Sequence, residues 1–80
     1  MKTNIYIVEG CKISYLGRTP EEYQFNLGTY ATVDLAEGAI ANELASIATK
    51  VDNYRFTGKH TIETKFYTYK FVVNTITFES

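Results

Sequence analysis

The 80-residue sequence has no tryptophan, one proline, one histidine and one cysteine, and no apolar run long enough to cross a membrane. Each shortage excludes something. A single cysteine, Cys11, leaves no internal disulfide and points to a reducing compartment. The opening MKTNIYIVEG holds one lysine and only a four-residue apolar run, Ile5 to Val8. That is too short for a signal-peptide core. The expectation is a cytoplasmic protein with no membrane attachment.

The same scarcity bears on catalysis. An enzyme needs a nucleophile, a general acid or base, or a metal, and this chain offers one His, one Cys and three Ser. No ligand pair has metal-site spacing, and no glycine loop could cradle a phosphate. Glu21 and Glu22 are adjacent loop carboxylates, which read as solvated. His60 reads as an exposed residue of a hairpin turn beside Gly58 and Lys59, and Cys11 as an incidental thiol in a turn beside Gly10. Neither catalysis nor a cofactor or metal is expected.

What is present is globular. Hydrophobic residues make up 45% of the chain and charged ones 21%, with seven Tyr and five Phe. This length makes one domain, residues 1–80, whose small core must lean on large aromatic side chains. The net charge of −1 conceals a division. Residues 1–20 and 55–80 each carry +2, whereas residues 21–54, with Glu21, Glu22, Asp34, Glu37, Glu43 and Asp52 against Lys50, carry −5.

The pattern along the chain predicts an α+β fold: an antiparallel sheet of about five strands, ordered βββαββ like a meander, with one helix across one face. A first hairpin is expected to turn at Glu9-Gly10-Cys11, which sets Ile5, Ile7, Ile13 and Tyr15 on one face. GRTPEE (17–22) reads as a loop and YQFNLGTY as a half-buried strand with Tyr23, Phe25 and Leu27 inward. The helix starts near Asp34, which has capping-box spacing to Glu37. Its apolar stripe is Ala36, Ile40, Leu44, Ile47 and Val51, and it ends at Asp52-Asn53. The stripe is expected to bury against Ile5, Ile7, Ile13, Phe25 and Leu27. A second hairpin turns at Gly58-Lys59.

The stretch KFYTYKFVVNTITF (65–78) resists a single reading, because apolar groups occupy both alternating positions. Either a bulge near Phe66-Tyr67 and a bend at Asn74-Thr75 bring them to one face, or an unbroken strand leaves Tyr67, Tyr69 and Phe71 outside the core. Under the first reading Phe71 is core, and Tyr67 and Tyr69 keep their hydroxyls wet.

Two candidate binding features follow. Glu37 and Glu43 flank the helix stripe and could dock on a basic groove of a partner protein or ribonucleoprotein complex. Lys65 and Lys70 interleave with Tyr67 and Tyr69, an arrangement that could instead hold single-stranded nucleic acid by stacking and phosphate contact. The sequence pI of about 5.7 argues against the second. A sheet edge in this region would also admit a second copy by strand addition.

In size and layout, a short strand start (MKTNIYIVEG), a lone helix and a hairpin sheet, the chain resembles small phage-encoded inhibitors of bacterial defence, the anti-CRISPR class. The resemblance covers the architecture and no sequence motif. It implies a non-enzymatic protein that acts in the host cytoplasm by occupying a surface of a host complex, and it transfers no functional residue. The expected function is therefore binding another macromolecule and inhibiting or regulating it.

Overall fold

Residues 2–14 contain no proline and pair without a break along one neighbouring strand. In the computed structural model, which describes residues 1–79, they form one long strand, β1 (Lys2–Ser14). After the loop 15–20 come β2 (Glu21–Tyr30) and the helix α1 (Val33–Thr49). Then follow β3 (Tyr54–Gly58), β4 (Thr61–Thr64) and β5 (Tyr67–Glu79). The five strands make one antiparallel sheet in the order β2-β1-β5-β4-β3. The fold is α+β, as expected, with two strands before the helix and three after it.

The shift in order comes from Gly10. Glu9-Gly10-Cys11 does not turn; all three residues pair with both neighbouring strands in the middle of β1. Cys11 is accordingly half-buried within a strand, not in a turn. The reversal after β1 occurs instead in the Gly- and Pro-containing loop that leads to β2.

Strand parity then decides which side chains meet the helix. Directly paired residues share a face, so Tyr6, Val8 and Gly10 lie with Val73 and Phe71 of β5. Ile62 of β4 pairs with Tyr69 and joins them. This is the helix-covered face: Ala36, Ile40, Leu44 and Ile47 bury against Val8, Ile62 and Phe71. Ile5, Ile7 and Ile13 point the other way, so they are not the partners of the helix stripe. Of the expected β2 trio, Leu27 packs against the core, Phe25 stays 37% exposed but meets Phe71 edge-on at the core's end, and Tyr23 is exposed. Leu27 reaches the core through a bulge. Val8 pairs with Gly28 and Glu9 with Asn26, which leaves Leu27 as the extra residue and swaps the face of everything beyond it.

The helix begins two residues earlier than the carboxylates suggest. Thr32 is the N-cap, its Oγ1 accepting from Leu35 N at 3.1 Å. Asp34 lies in the first turn, where the helix dipole favours it. Glu37 makes no capping box. The helix closes at Lys50, whose N–H bonds to Ile47 O, so Val51 falls outside it. Thr32 links β2 at one edge to a helix that delivers the chain to β3 at the opposite edge. That crossing lays the stripe over the sheet.

The ambiguous stretch is also resolved. The break at Lys65-Phe66 is a full hairpin reversal between β4 and β5, not a bulge. No bend occurs at Asn74-Thr75; β5 stays in unbroken register with β1 from Tyr67 to Glu79. Phe71 is buried while Tyr67 and Tyr69, on the same face, are half-buried.

Candidate functional site

An unbroken β5 has a consequence for its two faces. Towards the helix it presents Tyr67, Tyr69, Phe71 and Val73, then turns polar at Thr75 and Thr77. The opposite face carries Val72, Ile76 and Phe78 with Asn74 and Lys70 between and beside them, and next to it β1 contributes Ile5, Ile7, Cys11 and Ile13 with Glu9 among them. Ile5 stands directly across from Ile76, and Thr3 from Phe78. Val72, Ile76 and Phe78 are 52%, 39% and 49% exposed. Among the described residues no helix or strand covers this face. Only at one end does Tyr15 fold beneath the sheet, its hydroxyl accepting from Thr68 Oγ1 at 3.3 Å. The result is an apolar stripe along two adjacent strands.

Polar groups edge the stripe and interrupt it, Glu9 standing across from Val72 and Asn74 across from Ile7. Glu9, Gln24, Asn26 and Lys70 line a shallow hollow of about 530 Å³ whose floor includes Cys11 and Val72. Glu22 is paired with Ile13 and lies on the same face. An apolar centre with a polar rim is the anatomy of a protein-docking surface.

The residues singled out from the sequence do not form one cluster. Tyr67 and Tyr69 sit together, ring centroids 6.2 Å apart, on the helix side of the sheet. Lys12 joins them, Nζ lying 4.3 Å from the Tyr67 ring and 5.8 Å from that of Tyr69. That cation was not legible beforehand, because its proximity depends on the pairing of Lys12 with Tyr69. Lys70 projects from the opposite face, across from Cys11. Lys65 is exposed in the β4–β5 turn, 5.2 Å from the Phe66 ring.

Glu37 is engaged within the chain. Its Oε1 accepts from Lys59 Nζ at 2.9 Å and lies 4.0 Å from His60 Nε2. The Lys59 hydrogen bond chiefly holds the Glu37 carboxyl below its ordinary pKa, aided by that lysine's charge. Glu43 is half-buried further along the helix. His60 is half-buried too, not exposed. Its Nε2 is shielded from solvent without a hydrogen-bond partner, and its carbonyl accepts from Phe71 N at 3.0 Å. Glu37, Lys59 and His60, but not Glu43, line a cleft of about 540 Å³ between α1 and the β3–β4 hairpin, together with Gly38, Ala41, Ala45 and Phe56.

Chemistry-bearing groups are sparse in this arrangement. Among the described residues no three His, Cys, Asp or Glu side chains converge as metal ligands, and no helix is long and apolar enough to cross a membrane. Tyr23 donates to Glu21, a hydrogen bond that raises the phenol pKa and leaves the pair exposed on an edge strand.

No protein-family model, no curated protein and no solved structure matches this chain.

Proposed function

We propose that the chain is a non-catalytic binding protein that docks on another protein through the uncovered face of its sheet and thereby inhibits or regulates it. The observation that carries this reading is the apolar stripe of Ile5, Ile7, Val72, Ile76 and Phe78, which no helix or strand covers among the described residues. Soluble domains rarely leave that many large apolar side chains bare on one face without a use. Glu9 within it and Glu22 at its border favour a partner that sets basic groups among and around its apolar ones, which would add association rate and orientation. Glu37 is already paired with Lys59, so the acidic helix is the weaker contact. The resemblance in layout to phage inhibitors of bacterial defence fits this mode of action, with a host protein or ribonucleoprotein complex as the partner.

Nucleic-acid binding is the competing reading. Lys70 lies on the opposite face from Tyr67 and Tyr69, and Arg55 is bound to Glu63 at 2.8 Å. A continuous basic and aromatic track is therefore not assembled on one face, which favours a protein partner.

The test is capture from a bacterial lysate by the immobilised protein, followed by mass spectrometry. Ile7→Lys with Val72→Lys should abolish capture of whatever the wild type retains, while Lys65→Ala with Lys70→Ala should leave it intact. Tight, steeply salt-dependent binding of a single-stranded oligonucleotide, weakened by the lysine variant, would overturn the protein-docking reading.

A further inference from the structure

The sheet has an open side that the docking face does not account for. β4 reaches only as far as the pairing of Thr61 with Lys70, and the last contact across that side is Phe71 N to His60 O. Beyond it β5 runs on for eight residues with β1 on one side only. Backbone groups alternate in direction along a strand. Since Phe71 points its N–H away from β1, so do Val73, Thr75 and Thr77. Among the described residues their donors and acceptors have no backbone partner and form an open edge.

Natural sheets blunt such an edge with lysine, proline, a bulge or a very short strand. Residues 71–78, FVVNTITF, contain no charge, no proline and no glycine, and the strand carries no bulge against β1. The monomer is also extended. Its principal extents are 49 × 24 × 17 Å and its radius of gyration is 14.5 Å, against about 12 Å for a compact chain of this length. It exposes 5654 Å², whereas about 4900 Å² suits a compact monomer of its mass. The surplus is close to the roughly 800 Å² that each partner gives up in a standard interface.

We infer that residues 72–78 of β5 pair antiparallel with the same segment of a second copy, joining two five-stranded sheets into one across a twofold axis. A strand paired with itself in this way satisfies both edges at once and closes the assembly. The free segment has Thr75 at its midpoint. Centred there, the register sets Val73 opposite Thr77 of the second copy, so that outward-pointing backbone groups face one another. It also sets Val72 opposite Phe78 on the uncovered face, a β-branched and aromatic cross-strand pair. With no charge between Phe71 and Phe78, nothing repels. This inference stands on a different observation from the docking reading, because it uses the backbone edge of β5 and not the side-chain face that β1 and β5 share.

Sedimentation velocity or light scattering across a concentration series tests it. Wild type should reach twice the 9.1 kDa of one chain. Thr75→Lys places two like charges together on the axis and should give a monomer with an unchanged circular dichroism spectrum. Thr75→Pro removes an N–H that faces away from β1, so the ladder within the chain persists and dimer is again lost. Wild type remaining at 9.1 kDa up to high concentration would overturn the inference, and so would a dimer that survives both substitutions. The double variant Ile5→Lys, Ile7→Lys, with both changes on β1 and outside the paired segment, separates the two proposals. Loss of partner capture with the dimer retained supports both, whereas loss of the dimer by Ile7→Lys alone would overturn the edge assignment in favour of a face-to-face pair.

Discussion

The ring of Phe25 occupies the space in which a side chain on Gly10 would stand. The two residues are directly paired between β2 and β1, and a Cβ on Gly10 would overlap Cζ of Phe25. The same ring meets Phe71 edge-on, centroids 5.9 Å apart at 81°. Gly10 thus serves as a floor for an aromatic side chain that seals the end of the core.

Substitution of Gly10 by Val should therefore displace Phe25, even though valine suits a strand better than glycine. Overpacking of this kind destabilises by about 1–3 kcal/mol. Phe25→Ala should also destabilise, by loss of its contact with Phe71. The double variant should recover part of the combined loss, because removing the ring frees the space the new side chain needs. Urea titrations of the four proteins measure this coupling. Strict additivity would show that Phe25 and Gly10 do not share one space.

Leu44→Ala removes a buried side chain from the helix stripe and should cost about 2–5 kcal/mol, much of what so small a domain possesses. Ile7→Ala, on the uncovered face, should cost well under that. Chemical denaturation of both distinguishes the faces. Comparable losses would place Ile7 in the core and contradict the register of β1.

That contrast shows where sequence patterning is informative and where it fails. The stripe Ala36, Ile40, Leu44 and Ile47 follows from a 3.6-residue period that depends on nothing outside the helix. The strands are different, because a face is defined only relative to a register. Glu9-Gly10 carries a turn-like composition, and only Phe25, fifteen residues on, explains the glycine in a strand. The bulge at Leu27 is equally nonlocal, and it reverses which residues of β2 face the helix. Apolar groups at both parities in β5 suggest a kink if a sheet is assumed to have one apolar face. This sheet has two, and the uncovered one became visible only when Ile5, Ile7 and Ile13 fell on the side away from the helix. The pairing of Lys12 with Tyr67 and Tyr69 depends on the same register.

The contact between α1 and the β3–β4 hairpin should weaken in acid. The Glu37 carboxyl titrates below its ordinary value, chiefly through the Lys59 hydrogen bond. A folded-state pKa lowered relative to the unfolded chain gives stability that is present above the unfolded pKa and lost as pH falls through the folded one. The effect is small, because the Lys59 side chain is 74% exposed and water and salt screen the pair. Melting temperature should fall more on acidification in wild type than in Glu37→Gln, and the two curves should converge at the lowest pH. Parallel curves would mean that the ion pair contributes nothing to the fold.

Tyr67 and Tyr69 share a face with Phe71 but differ from it in cover, and substitution should reproduce that gradient. Phe71→Ala empties a buried site and should cost about 3–5 kcal/mol. Tyr69→Ala should cost less, since its ring is only half-buried against the core. Tyr67→Ala should cost least of the three, because that residue is not part of the core cluster and its ring contacts are with Tyr69 and Lys12. Equal losses at all three positions would mean that the helix-side core extends to the end of the sheet. If Tyr67→Ala and Tyr69→Ala instead kept stability but lost a bound partner, docking would belong to this patch and not to the stripe on the opposite face.

The uncovered stripe should behave as solvent-facing surface in the free protein. Val72, Ile76 and Phe78 contribute little to the core, so Val72→Lys should change stability by no more than about 0.5 kcal/mol. It should also reduce the binding of an apolar fluorescent dye, which reports exposed hydrophobic area, and raise the concentration at which the protein stays clear. Val8 is paired with Val73 and lies only one residue from Ile7 and Glu9, yet it faces the helix and is fully buried. Val8→Lys should therefore unfold the domain. The pair of lysine substitutions reads the parity of the sheet directly. A destabilising Val72→Lys with no loss of dye binding would show that the stripe is covered within the chain, and the docking proposal would lose its surface.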